Sequence, residues 1–486
     1  MKHLLIAALM VFPLYGQEAT QPQTQTAPPP PAAPREAKIP QPVERTLSNG
    51  LRVIVVPKPG IPLVAARLMI KTGAAADPAG RAGLADMTAT VLTKGTKTQS
   101  AEQIARGVEA LGATLNAEAG WDSTAIDVSV MSSNLAKTLG YVADVARNAT
   151  FAKDELERER GQAVDALQVS LRQPRSLANM VASRLVFGES AYGHNLAGTP
   201  ASLAKLTRDD LVKFHRTYYR PDNAVLVFAG DINADTAFSL ASNAFGDWPR
   251  GAGAVSSGTK KFAPSAPRAV IVDLPAAGQA AVVVARPGLR RSDPNYMRAL
   301  VANSILGGGY SARLNQEVRI KRGLSYGAGS SFEPRADVGP FTARTETKNE
   351  SAAEVVGLVV GEMSKLSASD VPESELTPRK AVLIGGFAQS LETTSGIVNR
   401  VSNLALYGLP LSEINQYISG VQSVTAQQVR EFAAANMPGT GSTIVVVGDA
   451  KKFEPALRQQ YSDVEVIPVT DLDLDSPTLR VRKRKE

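Results

Sequence analysis

The chain has 486 residues, 44% of them apolar and 20% charged, with no cysteine and a formal charge of +7. That apolar content suffices for more than one core and excludes full disorder, while the lack of cysteine excludes disulfides, thiolate metal sites and thiol nucleophiles together. Only His3, His194 and His215 offer imidazole chemistry, and +4 of the charge sits in residues 480–486 (RVRKRKE), leaving a nearly neutral body without the basic stripe of a nucleic-acid binder.

At the N-terminus, Lys2 precedes an apolar run from Leu4 to Leu14 that ends near Gly16 or Ala19. This reads as a secretory signal peptide over residues 1–19, and it predicts an exported protein, periplasmic or secreted. The run is broken by Pro13 and falls short of the roughly 20 apolar residues that span a bilayer, so no stable membrane insertion is expected. Residues 20–45 hold eight prolines among Gln, Thr and Ala, a composition for an extended, disordered lead-in.

Beyond it the chain repeats itself. LTRDDLVKFHRTYYRPDNAVLVFAGDI (206–232) aligns without a gap, at an offset of 218, with VTAQQVREFAAANMPGTGSTIVVVGDA (424–450). In each copy a Thr opens an amphipathic helix, a Pro/Asn/Gly turn ends it, and a β-branched run forms a strand stopped by Gly-Asp. An earlier, looser echo, LVAARLMIKTGAAADPAGRAGLADMTATVL against AAVVVARPGLRRSDPNYMRALVANSIL, runs strand, Gly, Asp-Pro, helix in both copies. The organisation predicted is two homologous halves, 46–250 and 267–472, with a Gly/Ser/Ala-rich linker at 251–266 and a solvated basic tail at 473–486. The fold class is α+β: each half a mainly antiparallel sheet with helices packed on one face, the two forming a clam-like cleft.

Several segments together carry a specific resemblance: LSNGLRVIVV, GLADMTATVLTKGT, LGATLNAEAGWDST, ELERERGQA, YYRPDNAVLVFAGD and LGGGYSARLNQEVRIKRGLSYG. The chain resembles the pitrilysin and insulysin group of zinc metallopeptidases, and within it the processing-peptidase branch, from Leu47 to about Asp449. Active members carry an inverted zinc motif, H-x-x-E-H, on a helix where this chain reads GLADMTATVLTKGT. The resemblance places the two ligands at Asp86 and Thr90 and the water-polarising glutamate at Ala89. None of the three suits its role, since Ala89 has no base and Thr90 is a poor zinc ligand. The distal ligand position, seven residues after Glu159, falls on Ala166, and neighbouring Asp165 should point about 100° away on the helix. His194 and His215 lie 21 residues apart and outside the segment that resembles the zinc helix. His215 is expected to be packed or surface-exposed, and Asp86 a relic or a surface residue. No metal is expected on this chain.

In the second half the family pattern of an arginine and a tyrosine seven residues apart falls on Arg319 and Tyr326. A helix from about Ser311 to Lys321, stopped at Gly323, would let Tyr326 begin a strand and bring both side chains to one side of a cleft. A phenol there can stabilise an oxyanion, and a guanidinium can hold a substrate carbonyl or the phenol. By spacing alone the pair also fits a surface arginine and a packed tyrosine; the resemblance favours the site. Gly307, Gly308 and Gly309 lack the spacing of a phosphate cradle and read as a tight or mobile loop, loosely similar to the longer glycine-rich loop of a processing-peptidase regulatory subunit. DELERER (154–160) reads as a solvated helix face. Asn116 and Ala117 sit where the family has an edge strand that pairs with extended peptide.

The resemblance therefore implies a non-catalytic subunit. Its partner would be a homologous H-x-x-E-H metallopeptidase chain that carries the zinc, and its substrate a peptide or unfolded protein, with Arg319 and Tyr326 supplied in trans. The alternative is a non-enzymatic scaffold or peptide-binding protein that keeps the peptidase fold.

Overall fold

The computed structural model describes residues 39–253, 255 and 260–481. The expected signal peptide, the lead-in before residue 39 and residues 482–486 of the basic tail lie outside the described residues. Twelve strands form two six-stranded sheets. The first contains β1 (Val43–Thr46), β2 (Arg52–Pro57), β3 (Leu63–Ile70), β4 (Thr114–Ala119), β5 (Thr124–Met131) and β6 (Ala224–Gly230), in the order β1-β2-β6-β3-β5-β4. The second contains β7 (Ala269–Asp273), β8 (Ala280–Pro287), β9 (Ala328–Phe332), β10 (Pro340–Thr347), β11 (Thr443–Gly448) and β12 (Val464–Pro468), in the order β12-β7-β11-β8-β10-β9. Five strands correspond one to one between the sheets, and both keep the equivalent parallel pair, β2 with β6 and β7 with β11. Only the outer strand differs: β1 is an antiparallel hairpin partner of β2, whereas β12 is a parallel neighbour of β7. Three of β1's residues, Val43, Glu44 and Arg45, belong to the expected lead-in, and Glu44 pairs across the ladder with Ile54.

The internal repeat is visible at single-residue resolution. The helices Arg208–Tyr218 and Ala426–Asn436 differ by the same offset of 218 at both ends. Each opens on a capping box, Thr207 with Asp210 and Thr425 with Gln428, which satisfies backbone donors at the helix start and contributes about 1 kcal/mol. The strands that follow, β6 and β11, are buried at every residue.

Burial on both faces has a specific cause. Val53, Val55, Leu226 and Phe228 pack against helices of their own half, as expected. The opposite face, with Ile54, Val56, Val225 and Val227, packs on the helix Thr394–Leu406, which belongs to the second half. Reciprocally, Val270, Val272, Val283 and Val445 of the second sheet pack on Leu177 and Val181 of the helix Pro174–Phe187, from the first half. Helices therefore cover both faces of each sheet, not one, and the halves exchange a helix. A strand enclosed on both sides loses polar alternation.

Side-chain contacts reinforce the exchange. Asp122, in the β4–β5 turn, accepts hydrogen bonds from Tyr192 Oη at 2.6 Å, Tyr407 Oη at 3.1 Å and Ala336 N at 2.9 Å. Buried Arg335 lies over the rings of Trp121 and Tyr192, at 4.5 and 4.7 Å. The C-terminal segment also crosses between halves, where the sequence suggested a solvated tail from residue 473. Arg184 Nε donates to Leu474 O at 2.9 Å, Thr199 Oγ1 donates to Asp475 Oδ2 at 2.7 Å, Leu479 is fully buried, and Arg480 pairs with Glu465 at 2.9 Å. The leucines supply apolar area that the charge pattern concealed. Among the described residues no helix is long and apolar enough to cross a membrane.

Candidate functional site

The helix Leu84–Leu92 is wedged between β4 and the helices Lys153–Leu171 and Arg208–Tyr218. Its start is held by Asp77, whose carboxylate accepts from Gly83 N, Leu84 N and Ala85 N at 2.8, 3.2 and 2.9 Å. This satisfies amide groups that a helix leaves unpaired and places negative charge at the positive end of its dipole. Gly83 is required there: its φ is +89°, and a Cβ would meet Ala197 O at 2.9 Å.

Asp86 and Thr90, four residues apart, share one face of this helix and are both half-buried, while Ala89 is 1% exposed. Burial first, then the charges of Asp77 and Glu118, push the Asp86 carboxyl up to about 6. Across from this helix, Glu159 is buried and lies 3.2 Å from Lys94 Nζ and 2.7 Å from Arg158 Nη2. DELERER is therefore not wholly a solvated face. Glu159 turns inward, and Arg160 donates to Leu206 O at 2.6 Å, because this face of the helix abuts the 84–92 segment and the loop before Arg208. Ala166 and Asp165 are exposed.

This donor set does not fit zinc. One carboxyl, one hydroxyl and two alanines stand where imidazoles and carboxylates would be needed, and an ammonium and a guanidinium compensate the single inward glutamate. Among the described residues no group of three His, Asp or Glu is placed to hold a metal ion.

Sequence reasoning missed one neighbour of this helix. His194 Nε2 lies 3.6 Å from Asp77 Oδ2, with its ring edge-on to Trp121 at 5.2 Å. It thus stands at the capped end of the helix, brought there by a loop more than 100 residues downstream that no local spacing announces. His215 is packed: Nε2 lies 2.8 Å from Ala146 O and the ring is 4.6 Å from that of Tyr219. Burial holds its pKa below the usual imidazole value.

Asn116 and Ala117 lie on β4, the outer strand of the first sheet, paired on one side with Asp127 and Ile126 of β5. Asn116 is exposed and Ala117 half-buried.

In the second half, the segment preceding Tyr326 is helical from Arg313, with a π-helical stretch over Gln316–Lys321 in place of the regular helix expected. Gly323 ends it with φ +63°, its N–H donating to Arg319 O at 3.0 Å. Arg319 lies over the Tyr310 ring, 4.9 Å from its centroid. Tyr326 does not begin a strand. A Ser325–Gly327 turn, closed by Gly327 N donating to Ser325 Oγ at 2.9 Å, delays β9 to Ala328 and leaves Tyr326 90% exposed. Tyr310 and Ile320, in the same stretch of chain, are 64% and 46% exposed.

The three glycines before this segment are not alike. Gly307 is buried, its carbonyl accepting from Ser330 N at 3.1 Å, and a Cβ there would lie 2.2 Å from Ser330 N, so this position serves close packing on β9 rather than a mobile loop. Gly308 and Gly309 are exposed. Among the described residues no hydrogen bond or ion pair joins the Arg319 surface to the Asp86 helix.

A family model for the insulinase peptidases, M16, matches residues 52–199, and one for the M16 inactive domain matches 205–383. An uncharacterized zinc protease of Mycobacterium tuberculosis is 30% identical over 409 residues, covering 83% of this chain and 92% of the relative. The chain belongs to peptidase family M16. Another M16 relative, an uncharacterized zinc protease of Streptomyces coelicolor, is 26% identical over 84% of this chain and 89% of its own. The fold agrees with that of the M16 inactive-domain protein of Pseudomonas fluorescens, with a TM-score of 0.78 and 27% identity over 84% of this chain and 98% of that one. A protease from Helicobacter pylori shares the fold alone, with a TM-score of 0.80 at 21% identity over 85% of this chain and all of the other.

Proposed function

We propose that this M16 chain is the non-catalytic subunit of an exported heterodimeric zinc metallopeptidase, supplying Arg319 and Tyr326 to the zinc site of an H-x-x-E-H partner. The observation that carries this reading is the contrast between the two sets of side chains. The Asp86, Ala89, Thr90 and Ala166 positions hold no ligand set, whereas Tyr326 stands 90% exposed and Arg319 lies over the exposed Tyr310 ring. A phenol that packs on nothing in its own chain is poised to meet another molecule, where it can donate to a developing oxyanion. The guanidinium, held over Tyr310, can fix a substrate carbonyl. The open edge of β4, with Asn116 and Ala117, and exposed Gly308 and Gly309 offer backbone groups to an extended peptide. Export rests on the N-terminal sequence.

The test is co-purification with an M16 chain that keeps the intact motif. Alone, this chain should bind no stoichiometric zinc and turn over no peptide; together the two should be active. Tyr326→Phe or Arg319→Ala should lower kcat/KM by about 10²-fold, the usual effect of losing one oxyanion donor, with the complex still assembled. If both variants leave the active complex unchanged, the scaffold function replaces this one. Stoichiometric zinc on the chain alone, with turnover lost in Thr90→Ala, would overturn both.

A further inference from the structure

Four helices of the second half, Tyr296–Leu306, Glu373–Ser390, Thr394–Leu406 and Glu413–Gln422, border an open cavity of about 370 Å3. Two arginines line it and differ in their circumstances. Arg291 is ion-paired with Glu413 at 2.5 Å and stacks on Tyr296 at 3.8 Å, so its charge is already met. Arg400 forms no ion pair among the described residues. Its guanidinium lies over the Phe387 and Tyr417 rings, at 5.1 and 5.7 Å, and only Nε is engaged, donating to Ser390 Oγ at 3.1 Å. The two terminal nitrogens have no acceptor among the described residues.

Tyr417 adds a second, independent sign. It is 8% exposed and stacks on Phe387, with ring centroids 4.2 Å apart, yet its hydroxyl has no hydrogen-bond partner among the described residues. Burial raises its pKa to about 12, so the phenol keeps its proton and acts as a donor. Tyr417 lines the cavity and its hydroxyl is open to solvent there, so it is free to donate to an incoming acceptor. The planar fork of a guanidinium matches a carboxylate in geometry and charge. Phe387, Leu404 and Ile414 supply apolar wall, and Ser390, Asn399, Asn403 and Glu413 supply polar wall. A concave site of this size, with an apolar wall and a few convergent polar groups, suits a small molecule.

We propose that this cavity binds a small organic carboxylate bearing a flat apolar group, the carboxylate on Arg400 and the Tyr417 hydroxyl and the apolar part against Leu404 and Ile414. Arg400 lies on the exchanged helix, which packs on β3 and β6 of the first half. Occupancy therefore braces a contact between halves, and ligand binding raises the stability of the whole chain by mass action.

The experiment uses the full chain with benzoate, and benzamide as its neutral isostere, followed by calorimetry and thermal unfolding. Benzoate should bind at one site with a Kd of about 1 mM or tighter and raise Tm, with benzamide at least tenfold weaker. Arg400→Gln should weaken benzoate at least tenfold. Tyr417→Phe, which keeps the ring stack, should weaken it several-fold with the ligand-free Tm preserved. Equal binding of benzamide and benzoate, undiminished binding by Arg400→Gln, or no benzoate binding up to about 10 mM overturns the proposal. The comparison of the two probes on the unmodified chain decides the matter even if Arg400→Gln fails to fold.

Discussion

Asp86 stands in the first turn of the 84–92 helix, where burial and the charges of Asp77 and Glu118 raise its pKa to about 6. Its unfolded value is near 3.8, so the folded chain holds this proton more tightly than the unfolded chain does. The sign follows from linkage: the stabilising effect of the neutral carboxyl is complete below about pH 4 and is lost as pH rises through 6, leaving a penalty at neutral pH. Asp86→Asn should accordingly stabilise the protein at pH 8 by on the order of 2 kcal/mol and change nothing at pH 4, as measured by urea denaturation at the two values. Destabilisation at pH 8 would instead mean that the ionised carboxylate holds a favourable partner. His215 works in the opposite sense, since its lowered pKa means that stability is lost as pH falls through its folded value. That Asp86, Ala89 and Thr90 share one helix was legible in sequence, because an i, i+3, i+4 pattern is a local property. His194 was not, because its place beside Asp77 depends on a loop returning from far along the chain.

At the scale of elements, the exchanged helices decide how the sheets are buried. Leu177 is fully buried and packs with Val272 and Val283 of the other half. Leu177→Ala should cost about 2–5 kcal/mol, although its own half contributes none of the strands beneath it. Both tryptophans, Trp121 and Trp248, lie in the first half, which makes the coupling measurable. Tryptophan fluorescence and far-UV circular dichroism should report one shared, lowered denaturation midpoint for Leu177→Ala. Two separate midpoints would show that the exchange does not couple the halves. The continuous apolar runs of β6 and β11 could be read in sequence as buried strands. Which helix covers them could not, because a hydrophobic pattern records that a face is buried and carries no label for the element that buries it.

For the whole molecule, the sequence divides cleanly into two halves while the structure makes them mutually dependent. Each sheet would expose a row of valines and isoleucines without the other half's helix, Asp122 would lose two of its three donors, and the segment 469–481 would lose its anchor on Arg184 and Thr199. Residues 46–250 and 267–472 produced separately should therefore bind a hydrophobic dye and lack a cooperative transition, and co-expression should restore one native species. A single half that unfolds cooperatively would refute this. The sequence by itself determined the duplication, the strand and helix order and the family, because each is written in residue identity at fixed spacing. Tertiary structure alone decided which helix each sheet borrows, the exposure of Tyr326, the placing of His194 at a capped helix end and the open guanidinium of Arg400. Those depend on which distant segments meet, and that is settled by packing the whole chain, not by any local run of residues.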